Sequence, residues 1–141
     1  MGNIEEPWGY EEHVLMTQVD VGDQVGMLGI RRLVINTDEM TSYAYHEEQA
    51  DILYLEEGNV VIRHEGEMKD LEKGKAMVIR SEENHQIQNI GSSPAKILEI
   101  SFPYIPEDLV RVEDPYEDER DEEDEEQRKS RRKQKAEDQE D

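Results

Sequence analysis

Apolar and polar positions alternate in short runs throughout residues 1–112, and this pattern stops beyond them. The runs are rich in Val, Ile, Leu and Tyr and are interrupted by Gly, Asn, Asp or Pro, which is typical of β-strands. Nine short strands without a long helix predict an antiparallel sandwich or barrel. The predicted strands are 14–19, 26–35, 41–46, 52–57, 60–64, 67–71, 76–80, 85–90 and 95–102.

Two tight turns support this interpretation. Glu57-Gly58-Asn59 and Glu65-Gly66 each separate two of the predicted strands. Glycine readily adopts the positive φ that a hairpin turn needs, so we expect both glycines in that conformation.

Charge divides the chain into a folded part and a tail. Residues 117–126 are nine acids and one Arg, and residues 128–135 include six Lys or Arg. Such blocks have no apolar surface to bury against the cost of ordering the chain. We therefore predict one domain over residues 1–116 and a disordered, charged tail over residues 117–141.

Composition narrows the class of function. The chain has 37 acids against 16 bases and a formal net charge of −21, and residues 1–112 alone hold 22 acids and 9 bases. A folded part this acidic repels phosphate backbones, so we expect no nucleic-acid partner. There are no cysteines, and no apolar run approaches the roughly 18 residues of a membrane span. The first residues lack the features of a signal peptide, so we expect a cytoplasmic protein without membrane association.

Two of the four histidines lie within spaced motifs. The first motif runs Asp38-x5-Ala44-x-His46-x4-Asp51-x6-Gly58, and the second runs Gly74-x5-Arg80-x-Glu82-x2-His85-x3-Asn89. Imidazole and carboxylate groups suit Zn, Fe, Mn or Ni, and a set of two His and one carboxylate leaves positions open for water or substrate. His46, Asp51 and His85 are therefore candidate ligands of a divalent metal.

The two motifs resemble those of the cupins, in which they supply the ligands of one metal ion. Three further stretches are similar to the mannose-6-phosphate isomerase-like cupins, including the C-terminal module of mannose-1-phosphate guanylyltransferases. They are Pro7-Trp8-Gly9-Tyr10-Glu11, Ser42-Tyr43-Ala44-Tyr45-His46, and Ile97–Ile100 continuing through Asp108–Tyr116. The resemblance covers residues 7–116. It implies an all-β, cupin-type double-stranded β-helix, a jelly-roll barrel that generally forms homodimers, with residues 7–12 as a plausible contact.

The departures from those motifs affect the expected metal site. Ala44 replaces a Gln or His ligand and cannot bind metal, and Asp51 replaces a Glu. On a strand, residues 44 and 46 share a face, so Glu48 would share it too if the strand continued, and would then supply the missing ligand.

The remaining candidates concern catalysis and substrate binding. Glu48 or Glu99 would be a general base, Arg80 would hold an anionic group near the barrel mouth, and Tyr54 would contact substrate. Arg31, Arg32 and Arg63 are further candidates for holding a phosphate or carboxylate, although ion pairs with the many acids are the alternative. We expect His13 and His64 on the surface.

Three functions remain open at this point. The first is a metal-dependent enzyme acting on a sugar phosphate, an isomerase or epimerase by resemblance. The second is a non-catalytic cupin that binds a small molecule and has a degraded metal site. The third is a metal-dependent oxygenase.

Overall fold

A computed structural model describes residues 3–117 of the chain. The described part contains eleven strands and a single turn of 3-10 helix, Pro106–Asp108. The strands are β1 Ile4–Glu6, β2 Gly9–Val21, β3 Gln24–Ile35, β4 Tyr43–His46, β5 Ala50–Glu57, β6 Val60–His64, β7 Glu67–Leu71, β8 Ala76–Ile79, β9 His85–Asn89, β10 Ala95–Phe102 and β11 Leu109–Glu113.

The strands form two antiparallel sheets. The six-stranded sheet has the order β1-β2-β3-β10-β5-β8, and the five-stranded sheet has the order β11-β4-β9-β6-β7. Non-sequential neighbours such as β3-β10 and β4-β9 make this a jelly roll rather than a simple meander. The expected all-β jelly-roll barrel is confirmed, whereas the predicted tail lies almost wholly outside the described residues.

All nine predicted strands are present, with two additions and one extension. β1 and β11 are short strands at the edges of the two sheets, and β11 reads Leu-Val-Arg-Val-Glu. β2 begins at Gly9 because it pairs with β3 along almost its whole length, from Gly9 opposite Ile35 to Val21 opposite Gln24. Edge strands are short and often charged, which weakens the apolar alternation that reveals a strand.

Both turn glycines have the positive φ that their turns require. Gly58 has φ 102° in the connection between β5 and β6. Glu65 and Gly66, with φ 49° and 81°, form the two-residue loop between β6 and β7. Positive φ at both positions is the mark of a type I′ hairpin.

The interior of the barrel changes from apolar to polar along the strands. On β10, the inward positions are Ala95, Ile97, Glu99 and Ser101 in that order, and every one is buried. The inward positions of β5 change from apolar to polar in the same direction, because Leu55 lies opposite Ile97 and Asp51 lies opposite Ser101. One end of the barrel therefore holds the hydrophobic core, and the other end holds buried polar groups. Within residues 3–117, no helix is long and apolar enough to cross a membrane.

Candidate functional site

A cavity of about 350 Å³ opens at the polar end of the barrel. Both sheets and the N-terminal residues contribute to its wall. The lining residues include Glu6, Trp8, Glu11, Arg31, Leu33, Ala44, His46, His85, Ile87, Glu99, Tyr104, Leu109 and Arg111.

His46 is held in one orientation by an aspartate from a distant part of the chain. It ends β4 and lies opposite Leu109 of β11, so the preceding residue, Asp108, reaches its Nδ1 atom. Burial disfavours the charge of Asp108, but hydrogen bonds from the Gln49 and Glu48 N–H groups and from His46 lower its pKa overall. An ionised carboxylate has no proton to share, so Nδ1 of His46 carries one and donates.

His85 is likewise oriented by a hydrogen bond at its Nδ1 atom. It begins β9, lies opposite Ala44 of β4, and its Nδ1 is 3.2 Å from the carbonyl oxygen of Glu83. Because a carbonyl only accepts, Nδ1–H is the donor here as well. Burial lowers the pKa of His85 even though the charge of Asp51 acts in the opposite direction. His85 is therefore neutral near pH 7, and its Nε2 carries a lone pair.

Asp51 is the carboxylate that both imidazoles face. Its Oδ2 lies 3.8 Å from Nε2 of His46 and 3.9 Å from Nε2 of His85. Its Oδ1 accepts hydrogen bonds from the Ser101 hydroxyl at 2.6 Å and from the Gln49 amide at 2.8 Å. His46, Asp51 and His85 thus converge, as their spacing in the sequence predicts.

The donor atoms fit a metal ion in type but not in arrangement. The Nε2–Oδ2 separations of 3.8 and 3.9 Å lie within the roughly 3–4 Å between two atoms that share an ion through bonds of about 2.0–2.2 Å. However, the Gln49 amide lies 3.2 Å from Nε2 of His46, where a metal would have to bind. Among the described residues, no group of three or more His, Asp or Glu side chains could hold a metal ion. As arranged here, these residues do not fit a bound metal.

A buried ion cluster forms the other wall of the cavity. Arg31 on β3 lies directly opposite Glu99 on β10, and its Nη2 donates to that carboxylate. Its Nη1 donates to Glu11 of β2 at 2.9 Å. The side chains of Arg31, Glu11 and Glu99 are 10%, 13% and 8% exposed. One guanidinium therefore neutralises only one of two buried carboxylates.

The domain family Cupin_2, described as a cupin domain, matches residues 31–101, which is half of the chain. This chain belongs to the cupin family. The polyketide synthase protein TcmJ for tetracenomycin, from Streptomyces glaucescens, is 32% identical over 98 residues, 70% of this cupin and 64% of that protein. A putative mannose-1-phosphate guanylyltransferase from Vibrio cholerae is 27% identical over 110 residues, 77% of this cupin and 22% of that protein.

The first of these relatives is longer than the part it shares with this cupin, and the second is much longer. This cupin spans just under two thirds of TcmJ and about a fifth of the guanylyltransferase. Among solved structures, KdgF from a Halomonas species has a TM-score of 0.65 at 18% identity, covering 76% of this cupin and 90% of that chain. At this identity the likeness establishes the fold. The resemblance to mannose-1-phosphate guanylyltransferases is confirmed as a similarity in sequence.

The structure does not bring three of the expected site residues to the cavity of this cupin. Glu48 is exposed in the bend after β4, because the strand ends at His46 and the alternation with Ala44 does not continue. Arg80 is exposed in the turn before β9. Tyr54 is 37% exposed on the outward face of β5, whose inward positions are Asp51, Leu53 and Leu55. Of the expected catalytic and substrate-binding residues, Glu99 does line the cavity, as do the expected metal ligands His46 and His85.

The expectation of a surface His64 is wrong. It is buried, with Nε2 3.2 Å from Glu83 and Nδ1 2.9 Å from the Lys69 ammonium. It lies opposite His85 in the β6–β9 pair, so the sheet carries it inside. His13 is half-buried, opposite Arg31 on β3.

Sequence reasoning missed Gln49, Ser101, Asp108 and the role of Glu11. Ser101 could have been found, because it is two residues from Glu99 on a strand and therefore shares its face. Gln49 lies between His46 and Asp51 in the motif, but an amide side chain does not by itself indicate a metal site. Asp108 and Glu11 lie in stretches that carry the resemblance, but they reach the site only through the strand pairing, so those stretches do not indicate their roles.

Proposed function

We propose that this cupin binds a small, uncharged, oxygen-rich molecule in the cavity at the polar end of its barrel. The cavity has the size of a small-ligand site, at about 350 Å³. Its wall combines apolar side chains with a few converging polar groups, as ligand pockets generally do. The Arg31–Glu11–Glu99 cluster is the observation that carries the proposal.

The charge of the wall disfavours a phosphate. Arg31 already donates to two carboxylates, so its fork is not available to a phosphate in the bidentate way that such sites use. Glu6 adds a third carboxylate to the wall, against one further base, Arg111. A phosphate dianion would meet like charges in a partly buried setting, where repulsion is stronger than in water. The proposed ligand class therefore differs from the sugar phosphate that the family resemblance implies.

Hydroxyl and carbonyl groups suit the same wall. A hydroxyl donates to a carboxylate such as Glu99 and accepts from an N–H group. Arg31 Nε is a buried donor that has no hydrogen-bond partner among the described residues, and an oxygen of the ligand would satisfy it. Trp8 and Tyr104 add aromatic surface to the wall.

The names of the two relatives agree with this chemistry only in part. One names mannose 1-phosphate, a hydroxyl-rich sugar that also carries the phosphate that the wall disfavours, and the other names a polyketide synthase. An oxygen-bearing carbon skeleton, apart from the phosphate of the first, is common to both. A sugar and an aromatic polyketide are therefore two sources of the ligand chemistry that we propose.

Titration calorimetry with four probes tests the proposal: mannose, mannose 1-phosphate, mannose 6-phosphate and a dihydroxyanthraquinone. We expect an uncharged probe to bind at least tenfold more tightly than either phosphate. Glu99→Gln should weaken that binding, whereas Arg63→Met should not, because Arg63 lies over the Tyr43 ring and pairs with Glu113 away from the cavity. Tighter binding of a phosphate, or binding that is indifferent to Glu99→Gln, would contradict the proposal.

One observation favours a metal-dependent enzyme as a second candidate. Both imidazoles donate through Nδ1 and turn Nε2 toward Asp51, which is the orientation that outer hydrogen bonds give to metal-binding histidines. This candidate requires the Gln49 amide to move away from Nε2 of His46, after which His46, Asp51 and His85 would hold Zn, Mn, Fe or Ni. Metal analysis of protein purified without chelator tests this candidate. A stoichiometric transition metal would favour it over simple binding, and a metal-free folded protein would count against it.

A further inference from the structure

Gln49 is a buried amide at the centre of the polar cluster. It follows His46 in the bend between β4 and β5 and is only 1% exposed. Its Oε1 accepts a hydrogen bond from the backbone N–H of Ile105 at 2.7 Å. Because an N–H group needs an acceptor, this contact distinguishes the amide oxygen from the amide nitrogen. Nε2 of Gln49 therefore faces Asp51 Oδ1 at 2.8 Å, Ser101 Oγ at 3.1 Å and His46 Nε2 at 3.2 Å.

The groups around Nε2 all offer lone pairs. In the neutral imidazole of His46, the proton on Nδ1 faces Asp108 and Nε2 is left as an acceptor. The Ser101 hydroxyl uses its own proton on Asp51, so its oxygen accepts as well. A cluster of buried acceptors needs either N–H donors or a cation, since unpaired buried polar groups are costly. The two N–H bonds of the Gln49 amide supply the donors.

We propose that Gln49 is an amide lock, which satisfies the lone pairs of His46 and Asp51 and so keeps the site of His46, Asp51 and His85 from binding a divalent cation. A metal that bound there would have to displace the amide from Nε2 of His46, whereas Asp51 would still offer Oδ2, because the amide donates to its Oδ1. The lock acts through competition for those lone pairs, in addition to the loss of a ligand at Ala44. The inference goes beyond the proposed binding of an uncharged molecule, which depends on the opposite wall at Arg31 and Glu99.

Gln49→Glu is the sharpest perturbation, because it keeps the shape of the side chain. One carboxylate oxygen still accepts from Ile105 N–H, while the other replaces the donor with an acceptor beside Asp51, Ser101 and His46. Only a cation or a proton relieves that arrangement. Gln49→Ala removes the lock without adding a ligand, so it isolates the effect of competition.

The test titrates Mn²⁺, Ni²⁺ and Zn²⁺ alone into the chelator-treated full chain, and follows both calorimetric binding and the shift of Tm. We expect Gln49→Ala to raise metal affinity by up to about tenfold over the natural chain, because one hydrogen bond would no longer compete for the lone pair of His46 Nε2, and Gln49→Glu to raise it further. Gln86→Glu is the matched control, since Gln86 is also buried, with its amide donating to the Thr41 carbonyl. It should gain no affinity.

Each alternative result overturns the lock. The natural chain would contradict it by binding metal as tightly as Gln49→Ala. The lock would also be contradicted if Ala44→His, with Gln49 intact, gained more metal affinity than Gln49→Ala. The missing ligand at position 44 alone would then limit metal binding. If Gln49→Glu folds only with metal, its Tm shift supports the lock and Gln49→Ala still decides the question. If Gln49 does not act as a lock, the proposed binding of an uncharged ligand is unaffected. The calorimetry with mannose tests the wall at Arg31 and Glu99.

Discussion

Replacing Arg31 by Met should destabilise the protein by about 3 kcal/mol. The substitution removes the one cation between Glu11 and Glu99, whose side chains are 13% and 8% exposed. Breaking a buried ion pair by removing one partner costs about 3–5 kcal/mol, because the other charge stays buried without compensation. Arg31 also lies 5.3 Å from the centre of the Tyr104 ring, a contact that adds about 0.5–1 kcal/mol.

Two effects place the expected loss of stability in Arg31→Met at the lower end of the range of about 3–5 kcal/mol. Methionine refills most of the volume and recovers some apolar contact. The cavity also admits water to the carboxylates, which reduces the cost of leaving them unpaired. Glu99→Gln should cost less, about 1–2 kcal/mol, since the amide oxygen still accepts from Arg31 and Glu11 still neutralises the guanidinium.

Urea unfolding at pH 7 measures these differences, with Trp8 as the probe. Trp8 is the only tryptophan in the sequence and is 5% exposed, so its fluorescence reports loss of the barrel. With a slope of about 1–3 kcal/mol per molar urea, the midpoint of Arg31→Met should fall by about 1–3 M. The double variant Arg31→Met/Glu99→Leu should recover part of the loss, with a coupling of about 0.5–3 kcal/mol. The reasoning fails if Arg31→Met lies within about 1 kcal/mol of the natural chain, or if Glu99→Gln is the more damaging change.

Further predictions concern the core, alkaline pH, assembly and the tail. Leu53→Ala, at a fully buried position, should cost about 2–5 kcal/mol in urea unfolding, whereas Ile52→Ala, 39% exposed, should cost less than about 1 kcal/mol; equal losses would contradict the assigned strand faces. Burial raises the pKa of Tyr104, so the native state holds that proton more tightly than the unfolded chain, and stability should fall as pH rises above about 10. Tyr104→Phe should reduce the slope of this loss of stability with pH by less than about 1.4 kcal/mol per pH unit, because solvent screens the site. An unchanged slope in Tyr104→Phe would contradict this role of Tyr104. Light scattering should give twice the monomer mass at micromolar concentration, and a monomer mass would refute the dimer. Limited proteolysis should remove residues 117–141 and leave a folded core, and a core that unfolds on trimming would show that the domain boundary is misplaced.

The fold was accessible from the sequence because strand signals are local. Alternation on β10 and the turns at Gly58 and Gly66 depend only on neighbouring residues, and the structure confirms them. The motif spacing likewise brought His46, Asp51 and His85 together, since each of the three lies in a strand of the same jelly roll. A period of two assigns inward and outward positions without knowledge of the partner strand.

Only the tertiary structure decided what surrounds those residues. Asp108 meets His46 across 62 positions of sequence, and Glu99 meets Arg31 across 68, through the pairing of strands that are distant in the chain. Glu48 was misplaced for a related reason: its side chain would have faced the cavity only if β4 had continued past His46. Local alternation records which face a residue takes, whereas charge pairing and hydrogen bonding depend on which strands are neighbours. The sequence therefore determined the barrel and its polar end, and the pairing of the strands decided the chemistry found there.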